Sequence, residues 1–168
     1  MASHQVALER SKRIVFVVSA PMTIEAFLIG HIKALSTAFE VDVVWNGSQG
    51  PVPILEEVPS VRFHHVAIDR SPHLVRDLVA LVRLRRLLSD LKPDVVQSVT
   101  PKAGLLGMIA ARLARVPIRV HWVTGQVWAT RSGYRRLILK FVDKVMLEQT
   151  TATLVDGPTQ MKFLLKQG

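Results

Sequence analysis

The chain alternates between short apolar runs and longer segments in which apolar residues recur at helical spacing. Apolar runs at 13–19, 41–46, 61–68, 93–99, 118–124 and 152–157 predict six strands. The first run, "RIVFVVS", is continuous and β-branched, which is typical of a strand buried on both faces. Helices are predicted at 23–39, 72–92, 134–149 and 158–167, and in the segment that follows Thr100.

Strands that alternate with helices indicate βαβ units. The predicted fold is α/β, a Rossmann-like open parallel sheet flanked by helices, with one domain over 13–168. Residues 1–12 are polar and mixed, which predicts a flexible start. Ligands bind such sheets at the carboxyl ends of the strands. The loops at 19–23, 100–102, 124–133 and 156–160 follow strands there, so we expect them to converge on one crevice.

Composition and charge narrow the possible partners. A chain of 168 residues with 49% hydrophobic residues can fill one core, and it has no cysteine for disulfides, thiol catalysis or thiolate metal sites. No apolar run reaches about 18 residues, so no membrane span is predicted. The net charge of +9 favours a polyanionic partner such as anionic lipid. Nucleic acid is disfavoured, because aromatic residues are only 6% and do not interleave with basic ones.

The motifs disfavour two common kinds of site, a dinucleotide-binding site and a metal site. The loop after the first strand has no glycine before Gly30, so it lacks the G-x-G-x-x-G that lets a backbone approach a dinucleotide. Adjacent His64 and His65 point to opposite faces of a strand and cannot easily share one ion. No H-E-x-x-H or carboxylate cluster is present, so neither a metal nor a cofactor is expected in this domain.

The stretch "VTPKAGLLGMIAARLARVP", from Val99 to Pro117, combines features that a helix does not favour. Gly104 and Gly107 each cost about 1 kcal/mol relative to alanine inside a helix. Lys102 lies at the N-terminal end, where positive charge is disfavoured. Two interpretations remain open. Either the glycines let the helix pack closely, or the helix end faces the crevice and Lys102 contacts an anionic or hydroxyl-rich ligand.

The loop at 124–133 and the next helix carry further candidates. Trp128, which looks exposed in a polar loop, is either an anchor on the core or a stacking surface for a sugar or lipid. The helix from Tyr134 has one apolar face, and its other side gathers basic residues. That basic side is either solvated or contacts anionic lipid head groups, where each basic residue contributes about 1 kcal/mol.

Two stretches carry a resemblance to a known family. They are "TPKAGLLGMIAARLARVPIRVHWVTGQVWATRSGYRRLILKFVDKV" and "LVDGPTQMKFL". Together they resemble the amino-terminal half of family 4 glycosyltransferases, in the branch that assembles bacterial capsule and lipopolysaccharide sugars. The resemblance runs from Arg13 onward. It implies one half of a GT-B fold, in which the amino-terminal domain usually holds the acceptor and a carboxy-terminal domain holds the nucleotide-sugar donor.

The crevice loops and the resemblance together predict the site. The predicted acceptor-binding residues are Pro21, Thr23, Thr100, Pro101, Lys102, Thr124, Gly125, Gln126 and Trp128. The predicted membrane-contact residues are Arg131, Arg135, Arg136 and Lys140. Many family members carry a histidine where this chain has Thr124, so no histidine role is carried over and no catalytic residue is assigned.

The resemblance implies a retaining transferase that moves a sugar from a nucleotide-sugar to a lipid-linked or surface-polysaccharide acceptor. Its catalysis rests on positioning and on stabilising the leaving diphosphate. The expected partners are a lipid-linked glycan, an anionic membrane surface at the cytoplasmic face and a carboxy-terminal donor domain, without which the chain should not turn over. The alternatives are a non-catalytic half-enzyme that docks a separate donor-binding chain, and a stand-alone nucleotide-binding domain.

Overall fold

The predicted strands and helices are all present in the computed structural model, which describes residues 11–47, 58, 60–69 and 71–167. Within these residues the strands are β1 Arg13–Val17, β2 Glu40–Trp45, β3 Arg62–His65, β4 Val95–Val99, β5 Ile118–Val123 and β6 Ala152–Val155. The helices are α1 Pro21–Thr23, α2 Ile29–Leu35, α3 Leu74–Leu91, α4 Pro101–Leu113, α5 Gly133–Glu148 and α6 Pro158–Gln167, with a π-helical segment at Ile24–Leu28. Most of the flexible start predicted over residues 1–12 lies outside the described residues.

The described strands form a single parallel sheet in the order β3-β2-β1-β4-β5-β6. The predicted Rossmann-like α/β fold, expected for one half of a GT-B fold, is confirmed. The chain builds outward from β1 to β3 and then returns to place β4 on the other side of β1. The direction of strand order therefore reverses between β1 and β4, and a crevice is expected at the carboxyl ends of these two strands.

The core lies on both faces of the sheet. Val15 and Val17 of β1 are fully buried on the face covered by α3, α4 and α5. Phe16 and Val18 alternate with them and are buried against the π-helical segment and α2 on the other face. This alternation follows from the two-residue period of a strand, and it explains why the β1 sequence is continuously apolar.

The first helical region differs from the single helix predicted over 23–39. It begins earlier, at Pro21, because the fixed φ of proline suits the first position of a helix. It ends at Leu35, before the turn into β2. Between these ends the Ile29 N–H donates to the Ile24 carbonyl, five residues back, which widens one turn into a π-helix.

A buried carboxylate ties the amino-terminal halves of three strands together. Asp42 on β2 is fully buried, 3.0 Å from Arg62 Nε and 2.7 Å from His64 Nε2 on β3, and 3.6 Å from Arg13 Nε on β1. Glu40 bonds the same two arginines, with Arg13 the stronger influence, and they hold the pKa of its carboxyl below its usual range. This network lies at the opposite end of the strands from the crevice, so it supports the sheet and not the site.

Candidate functional site

Two hydroxyl groups meet at the carboxyl ends of β1 and β4, where the strand order reverses and a crevice is expected. Ser19, just after β1, lies 3.1 Å (Oγ to Oγ1) from Thr100, just after β4. The loop after β5 follows the neighbouring strand along the same edge. The loop after β6 is tied to it, because Gln160 Nε2 donates to the Val123 carbonyl at 3.0 Å. The four loops therefore lie along one edge of the sheet, and their convergence on one crevice stays a prediction.

Thr100 has a backbone conformation that side-chain-bearing residues rarely adopt. Its φ of 74° and ψ of 145° lie in the left-handed half of the map, and β-branching makes this more costly. The following Pro101 disfavours a helical conformation at Thr100, so α4 starts abruptly at Pro101. The Thr100 carbonyl still accepts from the Gly104 N–H at 2.8 Å. The strained turn places the Thr100 hydroxyl against Ser19, at the mouth of the crevice.

Lys102 forms an ion pair that links α4 to α3. Its Nζ lies 2.7 Å from Asp77 Oδ1 in the first turn of α3 and donates to the Ser71 carbonyl. The negative charge of Asp77 is favourable in the N-terminal turn of α3. The same charge offsets the unfavourable interaction between the positive charge of Lys102 and the N-terminus of α4. The structure thus explains the unusual position of Lys102 without a ligand, and its contact with an acceptor stays a prediction.

Gly104 is a packing glycine. A Cβ placed on it would lie 2.6 Å from Met146 Sδ of α5 and closer still to His121 Cε1 of β5. At Gly107 the space is less restricted, with the nearest atom, Val17 Cγ1, 3.4 Å from such a Cβ. Of the two interpretations left open by the sequence, close packing accounts for Gly104, because its missing side chain admits those of the sheet and of α5.

His121 and Ser98 form a buried polar pair beneath α4. His121 Nδ1 lies 2.8 Å from Ser98 Oγ, and the two residues face each other across β4 and β5. Burial lowers the pKa of His121 to about 4, and a hydrogen bond with the Ser98 backbone only partly opposes this shift. His121 is therefore a neutral core histidine near neutral pH, and its burial separates it from the crevice.

The loop after β5 supplies the remaining predicted crevice residues. Gly125 is exposed, whereas Thr124 and Gln126 are half-buried. The Gln126 Nε2 is itself buried, and it has no hydrogen-bond partner among the described residues. A buried amide donor without a partner is costly, so this group is suited to meet a hydrogen-bond acceptor of a ligand.

Trp128 is not exposed, so the expectation drawn from the polarity of its loop is wrong. Its side chain is only 3% exposed, its ring stacks on Phe163 of α6 at 5.5 Å, and its Nε1 donates to Asp143 Oδ2 of α5 at 2.6 Å. Burial raises the pKa of Asp143, and the indole N–H partly offsets that shift. Trp128 anchors the loop to two helices, and a contact with the acceptor stays a prediction.

The basic residues predicted to contact a membrane divide into two pairs. Arg131 and Arg135 are exposed. Arg136 and Lys140 are half-buried, and their charged groups lie 5.6 and 5.0 Å from the Trp128 ring centroid. That position favours a cation–π contact, so the second pair stabilises the loop anchor. Within the described ranges, no helix combines the length and the apolar character needed to cross a bilayer.

An aromatic cluster that the sequence pattern did not predict lies near the carboxyl end of β5. Trp122 of β5 contacts Phe27 and His31 edge-on, with ring centroids at 6.1 and 5.4 Å. Its Nε1 donates to Asp156 Oδ1 in the loop after β6 at 2.8 Å. Trp122 lies in a run predicted to be a buried strand, so the pattern gave no signal for it. Of the predicted site residues at the start of the first helical region, Thr23 is buried and Pro21 is half-buried.

Comparisons with known proteins show which family the sequence belongs to. Residues 31–168 match the glycosyl transferase 4-like domain. A Staphylococcus aureus capsular polysaccharide biosynthesis glycosyltransferase, CapM, is 36% identical over 84 residues, covering 50% of this chain and 22% of its own. An Escherichia coli enzyme, UDP-Gal:alpha-D-GlcNAc-diphosphoundecaprenol alpha-1,3-galactosyltransferase, is 33% identical over 115 residues, covering 67% of this chain and 29% of its own. The chain thus spans less than a third of these curated relatives.

Solved structures agree on the fold. Acinetobacter baumannii MurG superposes on 88% of this chain with a TM-score of 0.61 at 16% identity, and the match covers 42% of that protein. A UDP-N-acetylglucosamine 2-epimerase superposes on 94% of this chain with a TM-score of 0.67 at 20% identity, covering 45% of that protein. The resemblance that the sequence carries is confirmed, and the chain belongs to the glycosyl transferase 4-like domain family.

Proposed function

We propose that this chain is the acceptor-binding part of a retaining glycosyltransferase and that its crevice holds a lipid-linked glycan. The family match and the curated relatives support sugar transfer. The E. coli relative is named for a substrate in which the sugar is joined to undecaprenol through a diphosphate. An acceptor of that class, built into capsule or lipopolysaccharide, is the substrate proposed here.

The observation that carries the proposal is the buried Nε2 of Gln126, which has no hydrogen-bond partner among the described residues. At the carboxyl ends of β1 and β4, Ser19 and Thr100 offer hydroxyls, and Lys102 is neutralised by Asp77. Hydroxyl and amide groups suit the hydroxyls of a sugar better than they suit a nucleotide diphosphate, which favours glycines, helix N-termini and cations. The lining therefore favours the glycan acceptor over the nucleotide-sugar donor.

The donor is assigned to a further, carboxy-terminal domain. The loop after β1 lacks the glycines that bring a backbone against a pyrophosphate, and the curated relatives are more than three times as long as the matched region. In the proposed reaction this chain contributes orientation, holding the acceptor hydroxyl towards the donor sugar across a cleft. No side chain of this crevice is assigned as a general base.

A lipid-linked acceptor places the reaction at the cytoplasmic face of a membrane. Exposed Arg131 and Arg135 lie just before and within the first turn of α5, where they can meet anionic head groups. The net charge of +9 also favours binding to an anionic surface. Peripheral association with the membrane surface is therefore part of the proposal.

The test is a titration of the 168-residue chain with a short, water-soluble prenyl-diphosphate-linked N-acetylhexosamine, followed by amide NMR shifts. We expect shifts at Ser19, Thr100 and residues 124–126, with binding weakened at least about tenfold in Gln126→Ala, because one buried hydrogen bond is lost. The melting temperature of this variant should not fall, since Nε2 bonds no described protein group. Gln149→Ala, at the far end of α5, is the matched control and should bind normally.

A parallel titration with nucleotide-sugars separates the alternatives. No binding, or only millimolar binding, supports an acceptor part whose donor site lies elsewhere. Micromolar binding of a nucleotide-sugar at the crevice, without binding of the prenyl-linked probe, would make this chain a nucleotide-binding module and would overturn the proposal.

A further inference from the structure

The apolar face of α5 points away from the core. Met146 is buried beneath the helix, whereas Tyr134, Leu137, Ile138 and Phe141 are 56–69% exposed. These four residues recur at intervals of three and four, so they form one stripe along the first two turns of α5. We call this stripe the α5 ridge. An amphipathic helix in a globular domain ordinarily turns such a stripe inward, and here it faces outward.

A second ridge of the same kind lies on α3. Ala80, Leu84 and Leu88 of this helix are buried in the core, whereas a set at helical spacing on the other side is 41–87% exposed. This α3 ridge consists of Leu74, Val75, Leu78, Val79 and Val82. Single exposed apolar residues are normal on protein surfaces, but two ordered stripes of four and five residues are not.

Both ridges lie on the same side of the sheet, on helices that are separated by α4. The helices α3, α4 and α5 form one layer on the sheet, with α4 packed between the other two. Each ridge occupies the amino-terminal half of its helix. A helix in a βαβ unit begins near the carboxyl end of the preceding strand, so both ridges lie towards the edge of the sheet that carries the crevice.

Basic residues flank the ridges. The segment 131–148 has five basic and two acidic residues, and 72–91 has four basic and two acidic residues. Some of these groups have partners already, because Asp77 pairs with Lys102, Asp143 accepts from Trp128 and Arg76 pairs with Asp69. Arg136 and Lys140 lie over the Trp128 ring. The surface charge therefore comes mainly from the exposed basic residues Arg83, Arg85, Arg86, Arg131, Arg135 and Lys144. The surface is therefore apolar along two lines and cationic beside them, which complements the acyl chains and the head groups of an anionic bilayer.

From this arrangement we infer that the α3 and α5 ridges, one on each side of α4, insert together into the interfacial region of an anionic lipid bilayer. The inference rests on the proposed function, because a lipid-linked acceptor is presented at such a surface. It goes beyond electrostatic adsorption by the arginines, since the ridges bury apolar side chains among the acyl chains. Insertion turns the crevice edge of the sheet towards the lipid head groups, where a prenyl-linked sugar is within reach.

The test measures co-sedimentation of the 168-residue chain with phosphatidylcholine vesicles containing 30% phosphatidylglycerol or none. We expect binding to the anionic vesicles that weakens in 0.5 M salt but persists, because salt screens the charges and not the apolar contact. Replacing either Leu137 or Phe141 by glutamate should weaken binding at least about tenfold, since each buried apolar side chain contributes that much or more. Leu78→Glu tests the α3 ridge in the same way.

Two further variants control for charge and for depth. Leu113→Glu changes the charge equally at an exposed leucine at the other end of α4, and it should lower binding by less than about threefold, because exposed charges act weakly. Tyr134→Trp gives a reporter on the ridge, whose emission should shift to the blue and be quenched by lipids brominated on the acyl chain. Circular dichroism checks that each variant is folded.

The outcomes separate this inference from the proposed function, because the vesicles contain no glycan and the water-soluble acceptor probe contains no bilayer. Binding that disappears in 0.5 M salt, or a Tyr134→Trp reporter that stays unquenched, would overturn insertion while leaving acceptor binding intact. A dimer that Phe141→Glu dissociates, in a chain that does not bind vesicles, would assign the ridges to a second copy and would also overturn the inference.

Discussion

At the scale of single residues, Gly104 shows why an unfavourable helix residue is retained. The position lies where α4, β5 and α5 meet, and His121 and Met146 occupy the space that a side chain would need. The intrinsic cost of glycine in a helix, about 1 kcal/mol, is smaller than the cost of forcing those two side chains apart. Packing between elements, and not helix propensity, therefore explains why position 104 is a glycine.

Gly104→Ala should destabilise the chain. The added methyl group would displace His121 or Met146 from the core, and overpacking of this kind costs about 1–3 kcal/mol. Gly107→Ala is the matched control on the same helix, because its new Cβ meets only ordinary contacts at 3.4 Å. It should leave stability unchanged or raise it by up to about 1 kcal/mol. Urea unfolding measures both, and an equally stable Gly104→Ala variant would contradict this assignment.

At the scale of elements, the loop between β5 and α5 is held from both sides. Trp128 stacks on α6, bonds Asp143 of α5 and lies under the cations of Arg136 and Lys140. Gln126, two residues earlier, therefore extends from a fixed anchor and not from a mobile tip. A half-buried amide on an anchored loop is well placed to select a ligand, because ordering the loop on binding then costs little free energy.

Trp128→Ala should cost about 3–5 kcal/mol of unfolding free energy, since it removes a large buried ring. Trp128→Phe keeps a ring against Phe163 but leaves Asp143 without its indole donor, so we expect a loss of about 1–2 kcal/mol. The exposed neighbour Val127 provides the control, and Val127→Ala should change stability by less than about 0.5 kcal/mol. Equal stability of the Trp128→Ala and Val127→Ala variants would show that Trp128 is no anchor.

Sequence periodicity predicts which residues share a face of a helix, and α5 shows what it leaves open. The stripe of Tyr134, Leu137, Ile138 and Phe141 is visible from spacing alone, and so is the basic side. Whether a stripe faces the core or the solvent depends on what the neighbouring helices supply, which no local pattern records. The burial of Trp128 was missed for the same reason, because its partners Asp143 and Phe163 are distant in sequence.

At the scale of the whole molecule, the fold was predictable because a parallel sheet imposes strong patterns. Continuous apolar strands such as β1, alternating with amphipathic helices, permit few architectures. The crevice followed from topology, since ligands gather where strand order reverses. The individual contacts within it did not. The pairing of Lys102 with Asp77, and the strained turn at Thr100, depend on the positions of elements that lie far apart in sequence.

Stability of the whole domain should fall in mild acid because of one buried group. The folded-state pKa of His121 is about 4, below the ordinary 6.5 of an unfolded chain. Its contribution is therefore fully present above pH 6.5 and is lost as the pH falls towards 4, by up to about 3 kcal/mol. Unfolding curves between pH 7 and pH 4 should show this loss in the wild type.

His121→Gln isolates the effect, because glutamine cannot take up the proton. The variant is expected to be less stable at neutral pH, so the comparison uses the slope of stability with pH and not its absolute value. A His121 NMR titration midpoint at or above 6.5, or equal slopes in the two proteins, would contradict the assignment.

The strand order has one more consequence, for how this domain meets other chains. The two edges of the described sheet are β3 and β6, and each is only four residues long. On β3, Arg62 and His64 are held by Asp42. Both edges are short and β3 also carries charged side chains, and such edges offer a poor template for strand addition, which suppresses accidental growth of the sheet into aggregates. Close association through this domain is thereby left to its helices, where the α3 and α5 ridges are exposed.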